Sequence, residues 1–366
     1  MKEGRYSDLK PVWHLDAVRE LRESGHTTPP HIQLIISDLC NHDCDFCAYR
    51  MSGYTSNQNF GVLTDKGLNN NPNRKIPKKK CFEILKDAAG MGVKAVEFTG
   101  GGEPTVHPDH IKIFRYALET CGLSCALVTN GNRLKDGWKD VLPFFDWVRV
   151  SIDAGRPETY SKIRRVTADR FSKALENVHL LSREIIRNNS KCHLGVSFVV
   201  TEKNYREIEL AAKLAQNSGA HSIRFAPLFS NDEERYYDGI SGEISEGIEA
   251  ATQAVSGSFR VINQFPDRLR DLALHRPTYK RCGYQHFNVY IGGDLNVYRC
   301  CNTAYNDLGL VGSLKAQSFK EFWASEEKKE AYSGFDARRC ARCAFHSKNL
   351  VINYVVDEDP VHVDFA

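Results

Sequence analysis

Six short runs rich in β-branched and aromatic residues recur before residue 230, and amphipathic stretches separate them. The runs are HIQLIIS (31–37), KAVEFTG (94–100), SCALVTN (124–130), WVRVSID (147–153), LGVSFVV (194–200) and SIRFAPL (222–228). Between them stand helix candidates such as KKKCFEILKDAAGMG, ADRFSKALENVHLLSREIIRN and NYREIELAAKLAQNSG, several closed by Gly or Asn. A strand-helix-strand rhythm demands right-handed crossovers and a parallel sheet, and six such units suffice to curl it toward a barrel. The expected fold is therefore α/β, a partial (β/α)6 TIM-like barrel.

In such sheets function gathers at the carboxyl ends of the strands. SDLCNHDCDFCAYR (37–50) follows the first run, TGGGEPTVHPD the second and TNGNRL the third, while SIDAG ends the fourth. All four turns open on one rim. Cys40, Cys44 and Cys47 are too dense for packing and read as metal ligands. Three thiolates can wrap a cubane iron-sulfur cluster and leave its fourth iron open. The same three with His42 could instead bind zinc.

Composition narrows the setting. MKEGRYSDLK lacks the apolar core of a signal peptide, and no apolar run approaches the roughly 18 residues of a membrane span, so a cytoplasmic location is expected. Twelve cysteines in a reducing compartment are then ligands or catalysts before they are disulfides. A net charge of +3 with 26% charged residues points away from a nucleic-acid or membrane specialist. The basic segment 68–80 reads as an exposed loop feeding a helix. Cys81, Cys121, Cys125 and Cys192 sit among apolar neighbours and read as buried thiols.

The C-x3-C-x2-C triplet, with Phe46 before its last Cys, resembles the signature of radical S-adenosylmethionine (SAM) enzymes, and the likeness runs to about residue 230. It implies a [4Fe-4S] cluster on Cys40, Cys44 and Cys47 that binds SAM, passes it one electron and releases a 5'-deoxyadenosyl radical, which takes a hydrogen from the substrate. A flavodoxin or ferredoxin-type electron donor is implied with it. Gly100, Gly101, Gly102 and Glu103 look like the family's GGE motif, whose carboxylate accepts from the SAM ammonium. Ser151 and Asp153 resemble the fourth-strand motif facing the ribose and methionyl groups. Arg164, preferred over Arg165, resembles the holder of the SAM carboxylate. Asn130 would reach SAM or substrate, and residues 224–228 would close over the adenine. Tyr49, Arg50, Tyr54 and His107 lie near the expected rim without an assigned role.

A second thiol group follows. Cys282, Cys300, Cys340 and Cys343 suit a closed cluster or a zinc ion. Their layout resembles a Twitch domain, a shortened SPASM domain that carries one auxiliary [4Fe-4S] cluster. NVYIGGDLNVYRCCN reads as its hairpin, with Leu295 where the family has Gly, and LVGSLKAQSFKEFW as the helix after it. Cys300 is favoured over Cys301 as the ligand. Cys301 is then a buried bystander, or a hydrogen-atom donor if it faces the active site. The tail LVINYVVDEDPVHVDFA alternates like a strand and could cross the barrel mouth. The expected units are an N-terminal extension (1–30), the barrel (31–264), the auxiliary domain (265–346) and the tail (347–366).

Too few residues precede the first run for a leader-peptide recognition domain, and no cobalamin-binding region is evident. These readings leave oxidation, epimerisation or rearrangement of a small molecule, a nucleotide or a peptide. Radical modification of nucleic acid, with steeply salt-dependent binding, is one alternative. A zinc-stapled, non-catalytic binding protein is another, from a different class.

Overall fold

The structure is a computed structural model in which residues 6–49, 74–229, 233–273 and 276–357 are described. Its strands are β1 (His31–Leu34), β2 (Ala95–Phe98), β3 (Ser124–Thr129), β4 (Trp147–Ser151), β5 (His193–Val200), β6 (Ser222–Pro227), β7 (Arg260–Asn263), β8 (Asn288–Ile291), β9 (Asn296–Tyr298) and β10 (Leu310–Ser313). The helices are α1 (Leu15–Ser24), α2 (Lys78–Met91), α3 (His110–Arg115), α4 (Pro157–Arg164), α5 (Asp169–Arg187), α6 (Ile208–Asn217), α7 (Ser241–Ala254), α8 (Phe265–Ala273), α9 (Phe319–Ala324), α10 (Glu326–Ser333) and α11 (His346–Asp357). The strands make one open sheet in the order β10-β9-β8-β1-β2-β3-β4-β5-β6-β7, an incomplete barrel.

The six expected runs are strands, each parallel to the next. Alternation sorts their side chains. Val148 and Val150 of β4 are buried in the hydrophobic core, whereas Trp147 and Arg149 line an interior cavity. Outside the sheet, α5 buries Phe171, Ala174, Val178, Leu181 and Ile185, a stripe of helical period. Each of its large apolar members contributes roughly 1.5–3 kcal/mol on burial.

Several segments depart from expectation. β7 adds a seventh parallel strand beside β6. Its sequence, RVIN, is too short and too polar at its ends to stand out. β8 pairs parallel with β1 on the opposite side, so the sheet runs on past residue 265 into the second thiol group. Residues 310–313, expected as helix, are β10, antiparallel to β9. The helix waits for Ser318, which forms a capping box with Glu321. The tail is helical over His346–Asp357, where Asn349, Ile352 and Val356 present one buried face. Ile352 and Val356 pack with Leu21 and Phe287 near the amino ends of the strands, away from the mouth. Arg74 of the basic segment is buried, its Nε 3.0 Å from Asp38 Oδ2, and is not part of a solvated loop. Arg50 and Tyr54 lie outside the described residues.

Candidate active site

β1 runs into a turn anchored by its neighbour. Ser37 Oγ accepts the Leu39 N–H at 3.2 Å. The Ser37 and Leu39 carbonyls accept the N–H groups of Gly102 and Glu103 at 3.2 and 2.9 Å, which sets the two turns backbone to backbone. A Cβ on Gly102 would stand 2.3 Å from the Leu39 carbonyl oxygen, so this approach needs glycine. Beyond the anchor, Asp43 and Asp45 donate their N–H groups to the Arg164 and Ile163 carbonyls at 3.1 and 2.9 Å. The loop bearing Cys40, Cys44 and Cys47 is thereby tied to β2 on one side and to α4 on the other. Burial pushes the Cys40 thiol up to about 12, with Glu103 adding to the rise. Burial also raises Cys44, against the pull of Arg164. Such thiols give up their protons when a metal takes them.

Glu103 is the central charge of this rim and is only 3% exposed. Its Oε1 accepts from Thr105 N at 3.0 Å and from the Thr105 and Thr129 hydroxyls at 2.7 Å each. Oε2 accepts from Asn130 N at 2.7 Å. No cationic side chain among the described residues pairs with it. A buried carboxylate without a counter-charge is costly, and Oε2 keeps an acceptor position.

Arg164, 3% exposed, closes the other side. It pairs with Asp153, and its Nη1 lies 3.4 Å from His42 Nδ1 and 3.9 Å from Cys44 Sγ. Its guanidinium carbon is 5.2 and 5.8 Å from the Tyr160 and Phe46 ring centroids. Burial and Arg164 together hold His42 down at about 3, so its ring is neutral. Asp153, in left-handed backbone at φ 57°, accepts the Val199 N–H at 2.6 Å through its other oxygen. Arg165 instead points outward to Asp43 at 3.4 Å. Asn130 Nδ2 donates to Asn41 Oδ1 at 2.6 Å, and Ser151 meets Ser197 at 3.2 Å between the two hydroxyls.

The fold thus gathers the Cys loop, Phe46, Gly100, Gly101, Gly102, Glu103, Asn130, Ser151, Asp153 and Arg164 on one rim. His107 is turned to other work, its Nε2 3.0 Å from the Ile76 carbonyl. Tyr49 meets Tyr290, hydroxyl to hydroxyl, at 3.0 Å. Sequence reasoning passed over Thr129, Thr105 and Tyr160. Thr129 was findable, since it directly precedes Asn130 at the end of β3.

The second thiol group also converges. Cys282 precedes β8, Cys300 follows β9, and Cys340 and Cys343 sit on the turn before α11. All four line one cavity with Tyr279, Tyr284, Arg299, Phe335 and Phe345, and no acidic side chain among the described residues lines it. Asn349 Nδ2 lies 3.6 Å from Cys343 Sγ, and Thr303 Oγ1 3.5 Å from Cys300 Sγ. Burial pushes Cys340 up to about 12 and raises Cys282 well above the usual thiol range. Cys301 turns the other way, into the interior cavity of the barrel. Among the described residues, no three Cys, His, Asp or Glu side chains meet closely enough to hold a single metal ion.

Comparison with known proteins agrees with this architecture. The family model of the Radical SAM superfamily matches residues 34–215. A probable GTP 3',8-cyclase of Saccharolobus islandicus is 27% identical over 203 residues, 54% of this chain and 56% of that protein. A GTP 3',8-cyclase of Chlorobaculum tepidum is 29% identical over 173 residues, 46% of this chain and 47% of that protein. The chain thus spans about half the length of the curated relatives it matches. Among solved structures, Streptococcus suis SuiB bound to precursor peptide SuiA superposes with a TM-score of 0.60 at 15% identity, covering 87% of this chain and 70% of that one. The structure of anSMEcpe with bound AdoMet gives 0.54 at 16% identity, covering 83% of this chain and 82% of that one. These two likenesses show the fold. Residues 34–215 thus form a domain of the radical SAM superfamily. Among the described residues, no helix is long and apolar enough to cross a membrane.

Proposed function

We propose that Cys40, Cys44 and Cys47 hold the family's cluster, and that Gly100, Gly101, Gly102, Glu103, Asn130, Ser151, Asp153 and Arg164 form the SAM cradle beside it. The observation that carries this reading is Glu103, a buried carboxylate with hydrogen bonds but no cation among the described residues. The ammonium of SAM supplies the missing charge. When bound, the cluster supplies the electron that cleaves SAM to a 5'-deoxyadenosyl radical. The chain's own part is to fix the Cys loop, shield the site from water with Phe46 and Tyr160, and keep His42 neutral beside the thiols.

Cys282, Cys300, Cys340 and Cys343 are proposed as ligands of a second, auxiliary cluster, in a Twitch-like unit over residues 265–346. Each thiolate would bind a different iron, which suits thiols that share a cavity without meeting at one point. The barrel interior between the two thiol groups is then the substrate chamber. The reaction is oxidation, epimerisation or rearrangement of a small molecule, a nucleotide or a peptide. The GTP 3',8-cyclase relatives, alike over about half of this chain, favour a nucleotide-sized substrate.

The test is anaerobic reconstitution followed by iron and acid-labile sulfide assay, then incubation with SAM and dithionite. About eight irons per chain and 5'-deoxyadenosine as a product are expected. Replacing Cys44 by Ala should abolish 5'-deoxyadenosine and leave the fold. Persistent product from that variant, or colourless protein holding only zinc, overturns the proposal.

A further inference from the structure

Among the described residues, the interior cavity, about 520 Å³ in volume, is lined by Lys10, Arg149, Arg224, Arg268 and Lys348 against two acids, Glu97 and Asp146. Glu97 is already engaged, 3.6 Å from His31 Nε2 and 3.4 Å from Gln33 Nε2. Arg268 pairs with Asp271 at 3.2 Å. Arg149 and Arg224 have no hydrogen bond or ion pair among the described residues, and the Nε of each is buried without a partner. Trp147 lies 5.2 Å from Arg149 and Tyr6 5.9 Å from Arg224, ring to guanidinium, and Asp153 exerts a weak electrostatic pull on Arg224.

Strand register explains why they meet. Arg149 of β4 stands opposite Gly195 of β5, and Arg224 of β6 stands opposite Ser197 of the same strand. Side chains at paired positions of a parallel sheet share a face, so only a glycine and a serine lie between the two guanidinium groups. Burial, together with Arg149 and Arg268, presses Arg224 down to about 9, and burial lowers Lys348 to about 8. Like charges gathered around one cavity repel, and an anion among them relieves the repulsion.

We propose that the amino-terminal half of the barrel interior binds a phosphate group of the substrate through Arg149 and Arg224. Planar guanidinium forks match tetrahedral oxyanions, and the surplus of positive charge calls for a ligand of more than one negative charge, which a single carboxylate lacks. Arg149 lies in β4 four residues before Asp153, which follows the strand's end, so the phosphate sits on the order of 10 Å below the SAM end. That separation makes the substrate a phosphorylated molecule whose reacting carbon lies roughly a sugar's length or more from its anionic group. The inference rests on the barrel interior being the substrate chamber.

The test is anaerobic calorimetry on iron-loaded protein at fixed ionic strength, with inorganic phosphate and phenyl phosphate as probes and benzoate as the carboxylate counterpart. Phenyl phosphate should bind, benzoate should not, and Arg149→Gln and Arg224→Gln should each weaken binding by about tenfold or more. Arg187→Gln, on the outer face of α5, should change nothing. Should a variant fail to fold, wild-type protein alone answers, because its Tm must rise with phenyl phosphate and not with benzoate. Absence of binding, equal binding of benzoate, or unchanged affinity in both interior variants overturns the proposal. Phosphate binding in protein that makes no 5'-deoxyadenosine overturns the radical reading and leaves the anion site standing.

Discussion

Arg164 is worth more to this protein as half of a pair than as a charge. It and Asp153 are both buried, at 3% and 1% exposure, and each is the other's counter-ion. Replacing Arg164 by Met leaves Asp153 an uncompensated buried charge, and a loss of about 3–5 kcal/mol in urea unfolding is expected. Adding Asp153→Asn should return part of that loss. If the single variant is as stable as wild type, the pair does not hold the rim together.

A second residue sets a pH dependence. His110, at the start of α3, is buried with Nδ1 2.7 Å from the His107 carbonyl, and burial lowers it to about 4. Its folded value lies below the unfolded one, so the neutral ring is favoured in the fold. The stability is present above about pH 6.5 and drains away as pH falls toward 4. Between pH 7 and pH 5 the loss is about 2 kcal/mol from this group. His110→Gln should flatten that part of the profile, and an unchanged slope would assign the acid sensitivity elsewhere.

Among elements, the paired turns after β1 and β2 and the strand end of β9 carry the residues proposed for the chemistry. Gly102→Ala would drive a methyl into the Leu39 carbonyl. A cost of about 1–3 kcal/mol is expected, with the Cys loop displaced. SAM binding, followed by equilibrium dialysis, should fall further than stability does. An alanine variant that binds SAM like wild type would detach this contact from the cradle. At the end of β9 the adjacent thiols face different chambers, Cys300 the four-thiol cavity and Cys301 the barrel interior. Cys300→Ser should drop iron from about eight to about four per chain, and Cys301→Ser should keep it. The reverse pattern would exchange their roles.

The β9 hairpin also shows what a single sequence conveys about an element. NVYIGGDLNVYRCCN announces a hairpin, and its tight turn survives with Leu295 in left-handed backbone at φ 65°, a conformation more natural to glycine. LVGS after it carries a helix-compatible pattern and becomes β10, because β9 offers an open edge that only the assembled sheet possesses. The tail's alternation is equally compatible with a strand, yet Ile352 and Val356 find Leu21 and Phe287, and the helix wins.

For the whole molecule, one sheet carries both thiol groups, since β8 joins β1 directly. The ligands proposed for the auxiliary cluster tie together segments 282, 300 and 340–343, so removing that metal should release a long stretch of chain. Chelation under reducing conditions is expected to lower Tm by about 5 °C or more and to open residues 276–346 to protease. Equal protease resistance with and without iron would make the second group ornamental to the fold.

By itself the sequence determined the parallel sheet and the rim on which four turns converge, because periodicity and motif spacing are local properties written in consecutive residues. Tertiary structure alone decided that Arg74 is buried against Asp38, that Cys300 and Cys301 line different cavities, that Glu103 is buried among hydrogen-bond donors, and that Arg149 and Arg224 line one cavity. Those are relations between residues far apart in the chain, and burial, which gives an unpaired charge its meaning, exists only once the strands have been laid side by side.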